Sequence, residues 1–177
     1  MQPVNENLIL IGMPAVGKST LGVLLAKRLA LDFIDTDLLL QRRMGLRLHQ
    51  MINLKGLHSF RAAEEQTLLA LDCRSTVIAT GGSVIYSSPG MAHLAQLGRL
   101  VYLEISLEQL IRRMDDCGQR GVVMAPGQSF ADLYAERTPL YSRYADFQVH
   151  CDGREMNQIV DEIILRLDSF VQNDDDM

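Results

Sequence analysis

No cysteine of this chain has a near neighbour of its own kind. The three thiols are Cys73, Cys117 and Cys151, an odd and scattered set. That excludes a disulfide framework or a Cys-based zinc site and points to buried, inert thiols in a reducing cytoplasm. His49, His58, His93 and His150 are equally dispersed, with no pair at the i, i+4 spacing of a helical metal site. A basic excess is missing too. The formal net charge is -5, so a broad nucleic-acid surface is not expected, and anionic ligands must be held by local Lys and Arg. "MQPVNENLIL" offers no basic leader and no apolar run long enough for a signal or a membrane span. Internal repeats and low-complexity blocks are absent.

What is present is the composition of a soluble globular domain, 47% apolar and 22% charged over 177 residues. One domain is expected over 1–171, followed by a short, frayed acidic tail at 172–177. "NLILIG" reads as a central parallel strand, and Leu21, Leu24, Leu25 and Leu29 give the following segment a helical face. "DFIDTD" is a second strand, and residues 38–54 form two short helices broken near Gly45. "SFRAAEEQTLLALD" is a helix with Ser59 as its expected N-cap. "STVIATGG", "RLVYLEI" and "FQVHC" are further strands. Helices fall at Pro89 to Leu97, after Ser106, over "FADLYAERTPLYSRYA" despite Pro139, and over Met156 to Val171. Residues 115–129 lack periodicity and read as a lid-length loop. Strands alternating with helices predict a doubly wound α/β fold with a parallel sheet of about five strands.

The segment Gly12-Met-Pro-Ala-Val-Gly17-Lys18-Ser19 satisfies G-x-x-x-x-G-K-[ST] and sits between a strand and a helix. Such a loop turns successive N–H groups toward phosphate oxygens, and the helix N-terminus adds its positive end. Lys18 reaches the outer phosphates, and the Ser19 hydroxyl can ligate Mg²⁺. Pro14 and Ala15 make this version of the loop rigid.

Asp35 and Asp37 close the second strand at i, i+2, which puts both carboxylates on one face if the strand stays extended. One can hold Mg²⁺ through water, and the other can take a hydroxyl proton. A pair of solvent carboxylates in a turn is the plainer alternative. Arg61 has Glu64 three residues on, so a local helix ion pair is one reading. Forked Arg donors at Arg61 and Arg137 would also suit a substrate carboxylate. Gly81-Gly82-Ser83 ends the third strand, either as a tight turn or as backbone that approaches a ligand closely.

Taken in order, these segments resemble the shikimate kinase family. The likeness rests on the P-loop Gly12 to Ser19, Asp35-Thr-Asp37, Phe60-Arg61-Ala-Ala-Glu64, Gly81-Gly82-Ser83, Arg120 and Arg137-Thr-Pro-Leu-Tyr141, collinear from about Leu8 to Arg154. It implies a P-loop NTPase fold like the nucleoside-monophosphate kinases, with strand order 2-3-1-4-5 and a closing lid. It implies ATP and Mg²⁺ as cofactors, a small hydroxy acid such as shikimate as the partner, and a cytoplasmic monomer. The implied nucleotide set is Gly12, Ala15, Val16, Gly17, Lys18, Ser19 and Thr20, with Arg113, Arg120 and Arg154. Ser19 and Asp35 would serve the metal. Asp37, Arg61, Gly81, Gly82 and Arg137 would hold the acceptor, and Lys18, Asp37 and Arg120 would carry catalysis.

Three departures stand out. Ser83 replaces the third Gly of the family's triplet, Gly121 follows Arg120 where Pro is usual, and Leu57-His58-Ser59 replaces an acidic position before Phe60. All three lie around the acceptor pocket or the lid. The expected reaction is phosphoryl transfer from ATP to the 3-hydroxyl of shikimate. A related kinase for a sugar acid and a non-catalytic nucleotide-binding regulator are the alternatives. The absence of N-K-x-D and of D-x-x-G after a strand disfavours a GTPase switch.

Overall fold

The computed structural model describes residues 6–117, 122, 124 and 127–174. The expected lid residues Arg120 and Gly121 lie outside the described residues. The apolar run at the start forms β1 (Asn7–Ile11), buried along its whole length. It is followed by α1 (Lys18–Leu29), β2 (Asp32–Asp35), α2 (Thr36–Met44), α3 (Leu48–Leu69) and β3 (Thr76–Ala79). A single 3₁₀ turn at Val84–Tyr86 leads into α4 (Ser88–Leu97) and β4 (Gly98–Glu104). Then come α5 (Leu107–Cys117), α6 (Phe130–Tyr144), β5 (Phe147–His150) and α7 (Met156–Asp174).

The five strands form one parallel sheet in the order β2-β3-β1-β4-β5, the order the resemblance implied. β1 lies in the middle, with Leu8 opposite Val77 on one side and Arg99 on the other. Helices cover both faces, so central strands read as unbroken apolar runs, whereas the edge strand β5 alternates buried and exposed. Asn7, 2% exposed, ties the strand starts together. Its Nδ2 donates to Cys73 O at 2.7 Å and Leu97 O at 3.0 Å, and its Oδ1 accepts from Thr76 N at 3.0 Å. A second, smaller core of Leu40, Met51 and Phe60 packs α2 against α3 beside the main one. Among the described residues no helix is long and apolar enough to cross a membrane. Cys151 is buried and Cys73 partly so, both as free thiols.

Local chemistry explains where the elements differ from expectation. β2 stops at Asp35 because that residue is the N-cap of α2: its Oδ1 accepts from Asp37 N at 3.0 Å and Leu38 N at 3.2 Å. Asp37 therefore sits in the first helical turn, and the extended i, i+2 relation to Asp35 does not hold. Ser59 is not a cap. The chain bends at Gly56 (φ 78°, ψ 165°), and helix resumes at once, leaving Ser59 inside it. α2 does end at Gly45, in the left-handed region, and Ser106 accepts from Gln109 N at 3.4 Å as the cap of α5. α5 runs to Cys117 and α7 to Asp174, each past its expected end.

Candidate active site

The P-loop joins β1 to α1 at the carboxyl edge of the sheet, where α/β folds keep their ligand crevice. Gly12 has φ 144°, and a Cβ there would stand 2.7 Å from Leu103 O, so the loop turns where no side chain fits. Gly17 caps α1 with φ 106°. Ala15 adopts φ 65°, a strained choice for a residue with a Cβ, and Val16 N closes the turn on Met13 O at 3.3 Å. Lys18 Nζ reaches back across the loop and donates to Gly12 O at 2.7 Å and Met13 O at 2.8 Å. Burial lowers its pKa to about 8, Arg137 adds to that, and Asp37 and Asp35 pull the other way. Ser19 and Thr20 follow, both exposed.

Ser19 Oγ donates to Asp35 Oδ2 at 2.6 Å. Asp35 thus spends one oxygen capping α2 and presents the other at the loop. A hydroxyl and a carboxylate side by side at a phosphate-binding loop are the hard oxygen donors that suit Mg²⁺, an ion that keeps most of its remaining sites for water and phosphate. Among the described residues no cluster of three or more His, Cys, Asp or Glu forms an all-protein cage.

Asp37 lies across from Lys18, and burial raises its pKa to about 6, with Asp35 adding and Lys18 opposing. Its neighbour is Gly81, whose absent side chain is essential. A Cβ on Gly81 would lie 2.7 Å from Asp37 Oδ1 and 2.7 Å from Glu64 Oε1. Two carboxylates from different helices therefore close on one backbone position. Gly81 N donates to Thr36 Oγ1 at 3.1 Å, which anchors the turn to α2. Gly82 passes just as tightly between Pro14 of the P-loop and Arg137. Its carbonyl accepts from Tyr141 Oη at 2.5 Å, and Tyr141 stacks on Tyr102 with centroids 5.2 Å apart.

The two predicted acceptor arginines meet at Tyr86. The Arg61 guanidinium lies 4.3 Å from the centroid of that ring and that of Arg137 5.3 Å. Arg137 is 1% exposed, and its Nε donates to Tyr86 Oη at 3.3 Å. Tyr86 in turn donates to Glu136 Oε1 at 2.6 Å. Of the two readings of Arg61, the local pair with Glu64 does not form. Arg61 turns onto Tyr86, while Glu64, 5% exposed, accepts from Ser83 Oγ, which lies 2.8 Å from each carboxylate oxygen. Burial pushes Glu64 up to about 7, and the Ser83 hydrogen bond opposes this. Beside these groups opens a cavity of about 570 Å³, lined by Leu57, His58, Arg61, Glu64, Ser83 and Tyr86 among others.

Of the remaining predicted nucleotide residues, Arg113 touches the loop, Arg154 bonds within the β5–α7 connection, and Arg120 lies outside the described residues. Arg113 Nη1 donates to Val16 O at 2.8 Å. Arg154 donates to His150 O and Gln158 O and pairs with Glu162. Two residues on, Met156 Cε comes within 3.3 Å of a Cβ position on Gly17. Sequence reasoning missed Tyr86, which no motif flags, and it did not find the Ser83 partner of Glu64. The F-R-x-x-E segment held the clue to Glu64, because an acid on the helix that carries Arg61 sits on the same wall.

Comparison with known proteins points to one family. The family model described as shikimate kinase matches residues 14–168. A shikimate kinase of Pseudomonas aeruginosa is 39% identical over 165 residues, covering 91% of this chain and 95% of that protein. One of Francisella tularensis subsp. novicida is 33% identical over 162 residues, covering 89% and 92%. Among solved structures, a shikimate kinase from Acinetobacter baumannii in complex with shikimate superposes with a TM-score of 0.84 at 29% identity over 94% of this chain and 95% of that one. A gluconokinase from Sinorhizobium meliloti, at 16% identity and a TM-score of 0.55, shares the fold. With a family match over most of its length and a relative 39% identical across 91% of it, the chain belongs to the shikimate kinase family.

Proposed function

We propose that this protein transfers the γ-phosphoryl group of ATP to the 3-hydroxyl of shikimate, a step of aromatic amino acid biosynthesis. The observation that carries the reading is the meeting of two half-sites. Lys18, Ser19 and Asp35 face the phosphate side, and Asp37, Gly81, Gly82 and Arg137 stand directly across. Arg61 and Arg137 supply the forked cationic grip that an acceptor carboxylate needs.

The backbone N–H groups of Gly12 to Ser19 and the α1 N-terminus bind the phosphates of ATP, and Lys18 offsets charge on the transferring group. Arg113 and Arg154 serve the nucleotide side, and Arg120 closes from the lid. Mg²⁺ would be held by the Ser19 hydroxyl and, through water, by Asp35; when bound it neutralises the β and γ phosphates. Asp37 orients the acceptor hydroxyl and takes its proton as the new O–P bond forms. The bond from the γ-phosphorus to ADP breaks, and ADP leaves. A carboxylate raised to about 6 is a better proton acceptor near neutrality than an ordinary Asp and is still ionised there. Positioning and electrostatics do the rest.

The test is ADP release coupled to a dehydrogenase, with ATP and Mg²⁺ and a panel of hydroxy acids. Shikimate-dependent turnover well above the rate with gluconate-type acids is expected. A shikimate rate equal to the acceptor-free background would overturn the reading in favour of another acceptor.

A further inference from the structure

Ser83 stands where the resemblance leads one to expect glycine, and its hydroxyl has found a buried partner. Three observations converge on the pair. Ser83 is 2% exposed, and its Oγ lies 2.8 Å from both oxygens of Glu64, which is 5% exposed. Among the described residues that hydroxyl is the hydrogen-bond donor the Glu64 carboxylate has. A carboxylate accepts about four hydrogen bonds, and a hydroxyl supplies one proton, so most of the acceptor capacity of Glu64 is left over inside the protein. Finally, the pair sits at a boundary: both residues line the 570 Å³ cavity, and Glu64 Oε1 closes, together with Asp37 Oδ1, on the side of Gly81 where a Cβ would stand.

The charged groups around Glu64 come from three helices: Asp37 from α2, Arg61 from α3 and Arg137 from α6. The two arginines lean on Tyr86, so neither takes up Glu64 in a hydrogen bond among the described residues. A free Glu64 side chain has three torsions to lose and a like-charged neighbour in Asp37 to avoid. One hydrogen bond from Ser83 selects the rotamer that keeps it on the Gly81 wall. The same bond favours the ionised carboxylate against the burial that opposes it.

We propose that Ser83 is a positioning residue for the acceptor, acting through Glu64: its hydroxyl holds this carboxylate beside Gly81, so that the acceptor's hydroxyls meet two acidic groups, Glu64 and Asp37, instead of one. The inference rests on the kinase reading above. It names no new step, only the group that keeps one wall of the acceptor pocket in place.

A double-mutant cycle on the full chain tests it, with steady-state KM for shikimate, KM for ATP and kcat measured for wild type, Ser83→Ala, Glu64→Gln and the double variant. Ser83→Ala is expected to raise KM for shikimate about tenfold, the usual effect of one hydrogen bond to a charged group, with KM for ATP within twofold of wild type. In the Glu64→Gln background the same substitution should change KM for shikimate by less than twofold, since Ser83 then has no carboxylate to hold. Ser83→Thr, which keeps the hydroxyl, should stay closer to wild type than Ser83→Ala. An equal rise in both backgrounds, or a rise in KM for ATP matching that for shikimate, overturns the role of Ser83 while the kinase assignment stands. A wild type inactive on shikimate overturns both.

Discussion

Glu64 is where burial, charge and hydrogen bonding compete at a single atom group. Its pKa is raised from 4.5 to about 7, chiefly by burial. A carboxyl raised on folding binds its proton more tightly in the native state, so its contribution to stability is complete below about 4.5 and is lost as pH rises through about 7. Glu64→Gln removes that loss. Urea unfolding at pH 5 and pH 8 should show wild type weakening more between the two than the variant, by an amount on the order of a few kcal/mol at most. Equal slopes in the two proteins would show that Glu64 titrates as an exposed acid does. Much of this site was legible from residue order alone. The P-loop declares itself because its chemistry is made by contiguous backbone. Asp37, Arg61 and Arg137 could be named only as a collinear set, since they come from three different helices. The Ser83 to Glu64 bond spans 19 residues and the Tyr86 contact of Arg137 spans 51, and no local pattern encodes either.

Among the elements, strands and their order were the most readable. Buried parallel strands are short apolar runs, and here they end at chemistry that belongs to the next element: Gly12 after β1, Asp35 as the last residue of β2, Gly81 after β3. Boundaries were less readable where a side chain serves two masters. By composition the second strand runs on to Asp37, yet Asp35 accepts from Asp37 N and Leu38 N, which ends the strand at Asp35 and begins α2 at the next residue. Gly56 bends α3 without ending it, because the cluster of Leu40, Met51 and Phe60 secures both halves against α2. Asn7 went unnoticed within a strand, although it joins the starts of β1, β3 and β4. Asn7→Ala strands two part-buried carbonyls and one buried N–H, so a loss of about 2–4 kcal/mol in unfolding free energy is expected from denaturant titration. A change below about 0.5 kcal/mol would mean that water replaces all three bonds.

For the molecule as a whole, the nucleotide should act as a second core. Nothing but the folded chain presents the P-loop amides, the Lys18 ammonium and the Ser19 to Asp35 pair together, so ATP, with Mg²⁺ at the proposed Ser19 and Asp35 site, would bind the native state alone. At a hundredfold excess over Kd, linkage gives about 2.7 kcal/mol of added stability. For a domain of this size that corresponds to a rise in Tm of roughly 5–11 °C. Thermal unfolding with ATP and Mg²⁺, with ATP and chelator, and without nucleotide measures it. The full shift should need the metal, and a Tm unmoved by all three conditions would remove the nucleotide from the account.

The central place of β1 has a consequence in time. Apart from Asn7 this strand is apolar, and it leaves the ribosome ahead of the other described elements, yet its hydrogen-bonded neighbours are β3, starting at Thr76, and β4, starting at Gly98. At ordinary synthesis rates of about 5–20 residues per second, the first of them follows some 3 to 14 seconds later. For that interval the chain carries an unpaired hydrophobic strand, the kind of segment that chaperones bind. The residue order that puts the phosphate loop at the middle of the finished sheet also makes the nascent chain wait longest for the partners of its first strand.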